Sequence, residues 1–585
     1  MTKRALALML ALSMSVGIVL SGCTDSGSTS SAGGDTASGG GGSSGATDVG
    51  SFDDIEFPES LPEKIVMGDG LDYSYDDLTE RYSIEIMCTN YGEAALTPEN
   101  DPVNQWLSEK FNMDILLTSP SGEDYQTVVS TRFSANDYPD ILMLPTREYG
   151  FTLSDQGLLM DAKNIYPYML LSNNYTTQSM IQWSTNNSNG EIPFITKYSI
   201  QDSNFGIPVR QDWLEALDME YPTTKEELLD FAKACTFNDP DGNGKDDTYF
   251  MTGGGEGKGY GMLTAFENMF GNPAMHVENG EFQHPYFNGT RKEVISFFKE
   301  LVDAQVLAPD WFTKNWSQAC ADMANDLVGM GWFPSGAFHV QVVTKDNTEK
   351  TMENLEKYKY YKEAPIEGGK FPANGNPGFM WAFLKEKFEG QDGKLKRVAH
   401  MIDTMTLGGE NFFQTIQSSI PEVYEAAGIT VEGERVYGYN DDGKTFYIAD
   451  VGTQGAPFRA DDGYGPTGIW QQFGLVTTYQ ANYISDEMSE FDKAYNEKAN
   501  EGNEIILSYD RWPNDGLLVT LSGEAAEAQT TLTEWVLAEE YKFIAGGRSM
   551  DEWDSFTQEW LSKGGKEIIK QAAEQLGVEV PDYAK

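Results

Sequence analysis

The sequence predicts an α/β protein whose parallel sheets are covered by helices on both faces. Strand-like apolar segments alternate with amphipathic segments along the chain, which is the pattern of parallel α/β proteins. The chain has 585 residues, and the part from about residue 80 onward is too long for one compact core. We therefore expect an α/β body with at least two lobes.

The alternation is clearest between residues 83 and 144. The predicted strands cover 83–88, 113–118 and 140–144, and the predicted helices between them cover 101–111 and 124–133. The third strand is short and apolar, as buried parallel strands are. Further helices are predicted over about 211–217 and from a capping box, Thr224 with Glu227, to about Cys235.

The first residues have the pattern of an export signal. Two basic residues precede the apolar stretch 5–20, which ends in Leu-Ser-Gly-Cys with the cysteine at position 23. A short apolar stretch followed by small residues is typical of a signal peptide, predicted here as 1–22, rather than of a membrane span. The ending resembles the bacterial lipobox, so Cys23 is the predicted lipidation site. The alternative is a secretory signal that merely contains a cysteine.

The segment that follows, 23–52, is predicted to be a tether. It consists almost wholly of Ser, Gly, Thr, Ala and Asp, and such a composition cannot bury a core. As a Gly-rich coil it has a root-mean-square span on the order of 30 Å. We expect it to hold the folded body at the extracellular face of a cell membrane through the lipid anchor, as on a Gram-positive cell.

Composition narrows the classes of partner. The chain carries 41 basic and 91 acidic residues, a formal net charge of −50, so nucleic acid and anionic surfaces would repel it. Beyond residue 23 only Cys88, Cys235 and Cys320 occur. An odd and sparse cysteine count predicts no disulfide framework in an exported protein.

Residues 239–247 read Asp-Pro-Asp-Gly-Asn-Gly-Lys-Asp-Asp and predict a structural calcium (Ca²⁺) site. Oxygen donors stand at every second position, as in a calcium loop, and Gly244 occupies the sixth position, where such a loop turns sharply. The expected ligands are Asp239, Asp241, Asn243, Lys245 (through its carbonyl) and Asp247. Phe250 replaces the usual twelfth-position Glu, so the last ligand stays open between the Thr248 hydroxyl, a distant carboxylate and water. The alternative is an acidic turn that binds no metal.

Four segments in order resemble the extracellular solute-binding lipoproteins of ABC importers, in the branch that binds oligosaccharides. They are 134–141 (Ser-Ala-Asn-Asp-Tyr-Pro-Asp-Ile), 207–214 (Ile-Pro-Val-Arg-Gln-Asp-Trp-Leu), 222–228 with the calcium-like loop after it, and 544–553 (Ile-Ala-Gly-Gly-Arg-Ser-Met-Asp-Glu-Trp). The resemblance implies a two-lobed type II periplasmic-binding-protein fold with a hinge and a ligand cleft between the lobes. The lobes are expected at 80–206 with 372–460, and at 207–371 with 461–585.

The resemblance also implies a monomer that delivers an oligosaccharide to the permease subunits of an ABC transporter. Sugar sites combine flat aromatic rings with polar hydrogen-bonding groups. Aromatic residues in turn-like or Gly-rich settings, and two charged residues before a helix, are therefore the candidate ligand-binding residues: Tyr91, Arg210, Asp212, Trp332, Trp381, Tyr464 and Trp470. For each aromatic the alternative is a core or surface role, and for Arg210 with Asp212 it is a salt bridge at the helix start.

An enzyme is not expected. The four histidines show no metal-binding spacing, and the Gly-rich run 253–259 lacks the Ser or Thr that follows the lysine of a phosphate loop. No nucleophile elbow occurs in the body. A glycoside hydrolase needs only two carboxylates in a cleft and stays an unlikely alternative, beside a peptide-binding transport lipoprotein and a glycan-binding surface adhesin.

Overall fold

Two separate hydrophobic cores organise the folded body. The computed structural model describes residues 49–89, 101–120, 124–199, 205–334, 338, 342, 352–362, 370–372, 378–416, 434–451, 470, 473–478, 480–484, 486 and 488–585. The buried residues of the first core come from 84–198 and 381–476, and those of the second come from 207–360 and 519–584. We call the parts built around these cores the first lobe and the second lobe.

The described α-helices alternate with strands in the first lobe and dominate the second. In chain order they are α1 (Pro102–Lys110), α2 (Tyr125–Ser134), α3 (Arg147–Asp155), α4 (Gln178–Ser184), α5 (Gln211–Ala216), α6 (Lys225–Phe237), α7 (Thr290–Asp303), α8 (Trp316–Ala324), α9 (Met352–Glu356), α10 (Lys385–Phe388), α11 (Asp392–Met405), α12 (Phe412–Ile416), α13 (Glu490–Leu507), α14 (Gly523–Ile544), α15 (Trp553–Trp560) and α16 (Lys566–Gln575).

Most described strands are short. In chain order they are β1 (Tyr82–Met87), β2 (Met113–Thr118), β3 (Ile141–Met143), β4 (Ile195–Thr196), β5 (Tyr198–Ser199), β6 (Ile207–Arg210), β7 (His276–Glu278), β8 (Glu281–Gln283), β9 (Tyr358–Tyr361), β10 (Phe371–Pro372), β11 (Met380–Phe383), β12 (Glu434–Tyr439), β13 (Phe446–Val451), β14 (Val476–Thr477), β15 (Gln480–Ala481) and β16 (Arg511–Trp512).

A five-stranded sheet with the order β2-β1-β3-β11-β4 forms the centre of the first lobe. Strand β1 pairs in parallel with β2 and β3, as the alternation of strands and helices predicts. Strand β11 pairs antiparallel with β3 and β4, so the prediction of a purely parallel sheet is wrong at this strand. Strand β11 enters the sheet after the chain has passed through the second lobe, and no local sequence pattern predicts that the chain returns to this sheet.

Local signals set the helix starts. The Asp101 side chain accepts a hydrogen bond from the Asn104 N–H (3.0 Å), and a proline occupies the first turn of α1. The predicted capping box of α6 is confirmed, because Thr224 and Glu227 exchange side-chain to backbone hydrogen bonds.

The lobe boundaries stay a prediction, with one visible difference. Trp470, Phe473, Leu475 and Val476 pack in the first core, although a boundary at 460 assigned them to the second lobe. The three cysteines of the body are buried and unpaired with one another. Among the described helices none is long and apolar enough to span a membrane.

Candidate functional site at the junction of the lobes

The connections between the lobes run side by side. The chain passes from the first core to the second, returns, and passes to the second again. The Lys197 N–H donates to the Phe379 carbonyl (2.7 Å) and the Tyr198 N–H donates to the Leu475 carbonyl (2.8 Å), so the first connection contacts both of the others. Adjacent connections of this kind are where two lobes can rotate about a common hinge.

Arg147, at the start of α3, holds the third connection. Its guanidinium donates to the carbonyls of Leu517 (3.3 Å) and Val519 (2.5 Å) and lies 5.0 Å from the Trp183 ring centre. Leu517 packs against the first core, whereas Val519 belongs to the second. Burial lowers the pKa of this guanidinium. Arg147 therefore fixes the chain at the point where it enters the second lobe.

An aromatic cluster lies at the first connection. The rings of Phe205 and Trp332 have centroids 4.2 Å apart with an interplanar angle of 33°, and Trp316 lies edge-on to Phe205 at 6.4 Å. All three rings are only half-buried. The backbones of Gly206 and Phe333 exchange two hydrogen bonds (2.8 and 3.0 Å), which brings Phe205 and Trp332 together. We call Phe205, Trp316 and Trp332 the junction cluster.

The indole N–H of Trp332 is buried and has no hydrogen-bond partner among the described residues. Leaving such a donor unpaired costs about 1–3 kcal/mol. A native protein accepts this cost most readily where a ligand or a lobe movement supplies the acceptor. Trp332, a predicted ligand-binding residue, therefore offers both a ring face and a donor at the junction.

Trp512 adds a second half-buried ring, whose indole N–H has no partner in the described part of the chain. The Lys370 ammonium lies 5.3 Å from its ring centre, within cation–π range. Its neighbour Arg511 donates to the Ile506 carbonyl (3.3 Å). A Cβ added at Gly206 would lie 3.0 Å from the Ile506 side chain, so the end of helix α13 lies directly beside the backbone that follows Phe205.

Two predicted aromatic platforms are core residues instead. Trp381 lies on β11 in the middle of the sheet, 1% exposed, with Phe473 edge-on at 4.7 Å. Trp470 is also 1% exposed, and its indole N–H donates to the Asp101 carboxylate (2.9 Å). Burial raises the pKa of Asp101 to about 6. The prediction of ring platforms is wrong at both positions, because neither ring reaches solvent.

The prediction that Arg210 and Asp212 face a ligand is also contradicted. The Arg210 guanidinium is buried and donates to both carboxylate oxygens of Asp212 (2.7 and 2.6 Å) and to Asp326 (2.7 Å). It also lies 4.6 Å from the Trp213 ring centre. All donor nitrogens of the guanidinium are thus occupied inside the second lobe, which matches the alternative of a salt bridge at the start of α5.

The remaining predicted ligand residues, Tyr91 and Tyr464, lie outside the described residues. Sequence reasoning missed Phe205, Trp316 and Trp512. Trp316 follows Asn315, whose capping box with Gln318 marks an ordinary helix start. Phe205 carries a weak signal, since it immediately precedes Gly206 and the apolar strand β6.

The calcium-like loop is folded, but its oxygen donors do not converge on one point. The Asp239 side chain accepts from the Gly244 N–H (2.9 Å), while its other oxygen is buried without a partner. The Asn243 amide nitrogen lies between the carboxylates of Asp241 (2.7 Å) and Asp247 (3.0 Å). Within the described part of the chain, no group of three or more His, Cys, Asp or Glu side chains is arranged to hold a metal.

The donor types nevertheless fit a hard cation. Three carboxylates and an amide lie in one exposed loop, and rotating the Asn243 amide by half a turn replaces its nitrogen with an oxygen between two carboxylates. The orphaned oxygen of Asp239 is a further donor without a partner. Thr248 is a poor last ligand, because it is buried and its hydroxyl donates to the Cys235 carbonyl (2.7 Å).

Comparison with known proteins decides the family. The family of bacterial extracellular solute-binding proteins matches residues 105–386. The matched region spans just under half of the chain. The match confirms the predicted family. The two relatives described next are named for binding or for lipidation rather than for catalysis.

Two relatives come from Bacillus subtilis strain 168. The polygalacturonan/rhamnogalacturonan-binding protein YtcQ is 24% identical over 373 residues, which cover 64% of this chain and 68% of that protein. Lipoprotein LipO is 22% identical over 491 residues, which cover 81% of this chain and 89% of that protein.

A solved structure shares the fold. The Streptococcus pneumoniae ABC-transporter substrate-binding protein FusA, an EF-hand mutant in complex with fructo-nystose, has a TM-score of 0.57 and 16% identity. The match covers 85% of this chain and 98% of that one. The predicted two-lobed α/β class is confirmed by this family of structures.

Proposed function

We propose that this solute-binding protein captures an oligosaccharide between its two lobes and delivers it to the permease of an ABC importer. The protein does no bond chemistry in this proposal. The ligand bridges the lobes and favours a closed form over an open one, and the permease recognises the closed form.

The junction cluster is the observation that supports this proposal most. Its half-buried rings lie beside the connections between the lobes, and the Trp332 indole N–H has no partner. Pyranose and furanose rings present C–H faces to aromatic rings and hydroxyl oxygens to such donors. Trp512, with its own unpartnered N–H, offers a second contact of the same kind.

The relatives suggest which sugars to test first. YtcQ is named for polygalacturonan and rhamnogalacturonan, and FusA was crystallised with fructo-nystose. These ligands differ in charge, so acidic and neutral glycans are both candidates for this chain. The formal charge of −50 disfavours an acidic glycan at long range, whereas Lys370 and Arg511 favour it at the junction.

We further propose that Cys23 carries the lipid anchor. The lipobox-like ending supports this assignment, as does a relative named as a lipoprotein. The described residues begin at 49, within the last residues of the predicted tether, and the side chains of Phe52, Ile55 and Phe57 pack against the first core. Mass spectrometry of the membrane-extracted protein would test the assignment, since lipidation adds a diacylglycerol mass that Cys23→Ala removes.

A structural calcium ion in the 239–247 loop is part of the same proposal. Asp239, Asp241, Asn243, Lys245 (through its carbonyl) and Asp247 would hold it, and the ion would neutralise the carboxylates of the loop. Calcium at a hundred times its dissociation constant should stabilise the protein by about 2.7 kcal/mol. EDTA should lower the melting temperature and calcium should restore it, whereas Asp241→Asn should abolish the response. An unchanged melting curve would leave the loop an ordinary turn.

The function is tested by thermal-shift screening of the chain from residue 24, with Cys23 omitted. The panel contains oligogalacturonides, rhamnogalacturonan fragments, fructo-oligosaccharides, neutral pyranose oligosaccharides and short peptides. A glycan hit that is lost in Trp332→Ala supports the proposal. A peptide hit would replace it with the peptide-transport alternative. A glycan hit without any importer permease encoded nearby would favour a surface adhesin.

The matched control is Trp535→Ala. Trp535 is also half-buried, but it stacks on Phe556 within the second lobe (5.4 Å, 17°), away from the junction cluster. Loss of a similar packing contact there should lower the melting temperature without changing the response to the glycan.

A further inference from the structure

The second lobe contains a cavity of about 500 Å³ that is separate from the junction cluster. It lies between helix α14 (Gly523–Ile544), the residues that flank the β7–β8 hairpin (Met275 and 284–286) and the start of α7, and neither Trp332 nor Trp512 lines it. Its volume falls within the range of about 300–1,000 Å³ that is usual for small-molecule sites.

His284 supplies an unused donor in this cavity. Its side chain is 94% buried, and burial lowers its pKa to about 3, so the imidazole is neutral. Its Nδ1 accepts a hydrogen bond from the Tyr286 N–H (3.3 Å), which assigns the single proton to Nε2. No hydrogen bond of Nε2 to another described residue is observed. His284 lines the cavity, so this N–H can donate to a molecule bound there.

The charged side chains that line the cavity balance one another. Arg291 donates to both carboxylate oxygens of Glu540 (2.7 and 2.8 Å) and to Glu267 (2.5 Å), and the Tyr260 hydroxyl also donates to Glu540 (2.7 Å). The guanidinium is therefore fully engaged, and the negative charge left on this cluster is balanced by Lys258, which also lines the cavity. An ammonium group cannot accept a hydrogen bond from the His284 N–H, because it has donors only. The cavity therefore favours an uncharged ligand with oxygen acceptors.

The other walls are apolar and held in place. They consist mainly of aliphatic side chains of α14 with Met275 and the Trp560 ring: Leu532, Val536, Leu537, Met275 and Trp560. The Met275 carbonyl accepts from the Gly516 N–H (3.0 Å), and the Asn272 amide donates to the Pro513 carbonyl (2.7 Å). This wall is thus fixed to the third connection between the lobes and is preformed for a ligand.

We propose that this cavity is a second binding site, for an uncharged hydroxylated ring molecule of mono- to disaccharide size. The ring's C–H face packs against the apolar wall of α14. A ring or hydroxyl oxygen accepts the hydrogen bond from His284 Nε2. The second oxygen of Glu267 accepts from a ligand hydroxyl, since its first oxygen is already paired with Arg291.

Nuclear magnetic resonance of protein labelled with ¹⁵N-histidine tests the proposal, because the chain has only four histidines. The His284 signal is assigned by its absence in His284→Phe. Methyl glucopyranoside, methyl rhamnopyranoside and N-acetylglucosamine are titrated at millimolar concentrations, which correspond to binding of about −4 kcal/mol. We expect at least one sugar to shift the Nε2 resonance of His284 with saturation.

Two variants on neighbouring positions make the test specific. Thr533 is exposed at the mouth of the cavity, and Glu534 is exposed beside it without lining the cavity. Thr533→Trp should abolish the shift, and Glu534→Trp should keep it. No shift with any of the sugars, or a shift that survives Thr533→Trp, would overturn the proposal. Trp332→Ala should leave the shift unchanged, so failure here is distinguishable from failure at the junction.

Discussion

The two lobes each bury an arginine between elements that are distant in sequence, but they use it differently. In the first lobe Arg397 is fully buried, and its guanidinium contacts both Asp76 oxygens (2.7 and 2.8 Å) and the carbonyls of Asp77 (2.5 Å) and Glu80 (3.1 Å). In the second lobe the Arg291 guanidinium donates to carboxylates and lies 5.3 Å from the Tyr260 ring centre, at the edge of a cavity.

The difference assigns a role to each lobe. Arg397 holds the segment that follows the tether, and His400 reinforces it by contacting Asp76 (2.8 Å) and stacking on Tyr73 (4.3 Å). The first lobe is thus closed onto the chain that precedes it. The second lobe contains a cavity and presents most of the junction cluster. We infer that the first lobe is the more rigid of the two.

Arg397→Met tests this contrast with the largest expected effect. It leaves the buried Asp76 carboxylate and several carbonyls without a donor, which should cost about 3–5 kcal/mol of unfolding free energy. Urea unfolding followed by far-ultraviolet circular dichroism measures the loss. The N-terminal segment should also become sensitive to protease near Asp77. A variant as stable as the wild type would contradict a more rigid first lobe.

Arg291→Met should cost less, about 1–3 kcal/mol. Glu267 is partly exposed, so water can reach its carboxylate, and the buried Glu540 carboxylate keeps the hydrogen bond from the Tyr260 hydroxyl. The same urea experiment compares the two variants directly. If Arg291→Met proved more damaging than Arg397→Met, the roles of the two lobes would have to be exchanged.

The lobes should also respond to acid with opposite signs. The pKa of His284 falls from its ordinary value of 6.5 to about 3 in the second lobe. Below pH 6.5 the unfolded chain binds a proton at His284 that the folded lobe does not bind. Protonation of this imidazole therefore lowers the free energy of unfolding by about 2 kcal/mol between pH 7 and pH 5. The pKa of Asp101 rises from 3.8 to about 6 in the first lobe. Here the folded state binds a proton at a higher pH than the unfolded chain does. This adds about 1 kcal/mol to the free energy of unfolding between pH 7 and pH 5.

Site-specific titration by nuclear magnetic resonance checks both signs. The His284 imidazole should stay neutral down to pH 5, and the Asp101 carboxyl should titrate near pH 6. A normal histidine titration would show that water reaches His284 and would remove the expected loss of stability on acidification. An Asp101 carboxyl that is already ionised at pH 5 would show that the hydrogen bond from Trp470 lowers its pKa more than burial raises it.

Elements with local signals were predictable from the sequence. Strand β2 was predicted at its observed bounds, 113–118, and the other early helices and strands lie within a few residues of their predictions. Their signals are short apolar runs and caps, which depend on neighbours in sequence. Strand β11 joins the sheet from a distant part of the chain, and its antiparallel direction follows from that return rather than from its own residues.

The site was only partly predictable for the same reason. Trp332 and Trp381 both lie near Gly and Pro, yet one is half-buried at the junction and the other fills the sheet. Arg210 looked like a ligand group because its partner Asp326 is 116 residues away in sequence. Burial and pairing decide such residues, and both depend on the tertiary fold.

The smallest expected effect is the change in ligand affinity when Trp332 of the junction cluster is replaced. Isothermal titration calorimetry compares wild type, Trp332→Ala and Trp535→Ala with the oligosaccharide found in the screen. Loss of the ring and of the indole donor should weaken binding by about tenfold or more in Trp332→Ala, equivalent to at least about 1.4 kcal/mol. Trp535→Ala should bind like the wild type. Equal affinity in Trp332→Ala would contradict a ligand site at the junction of the lobes.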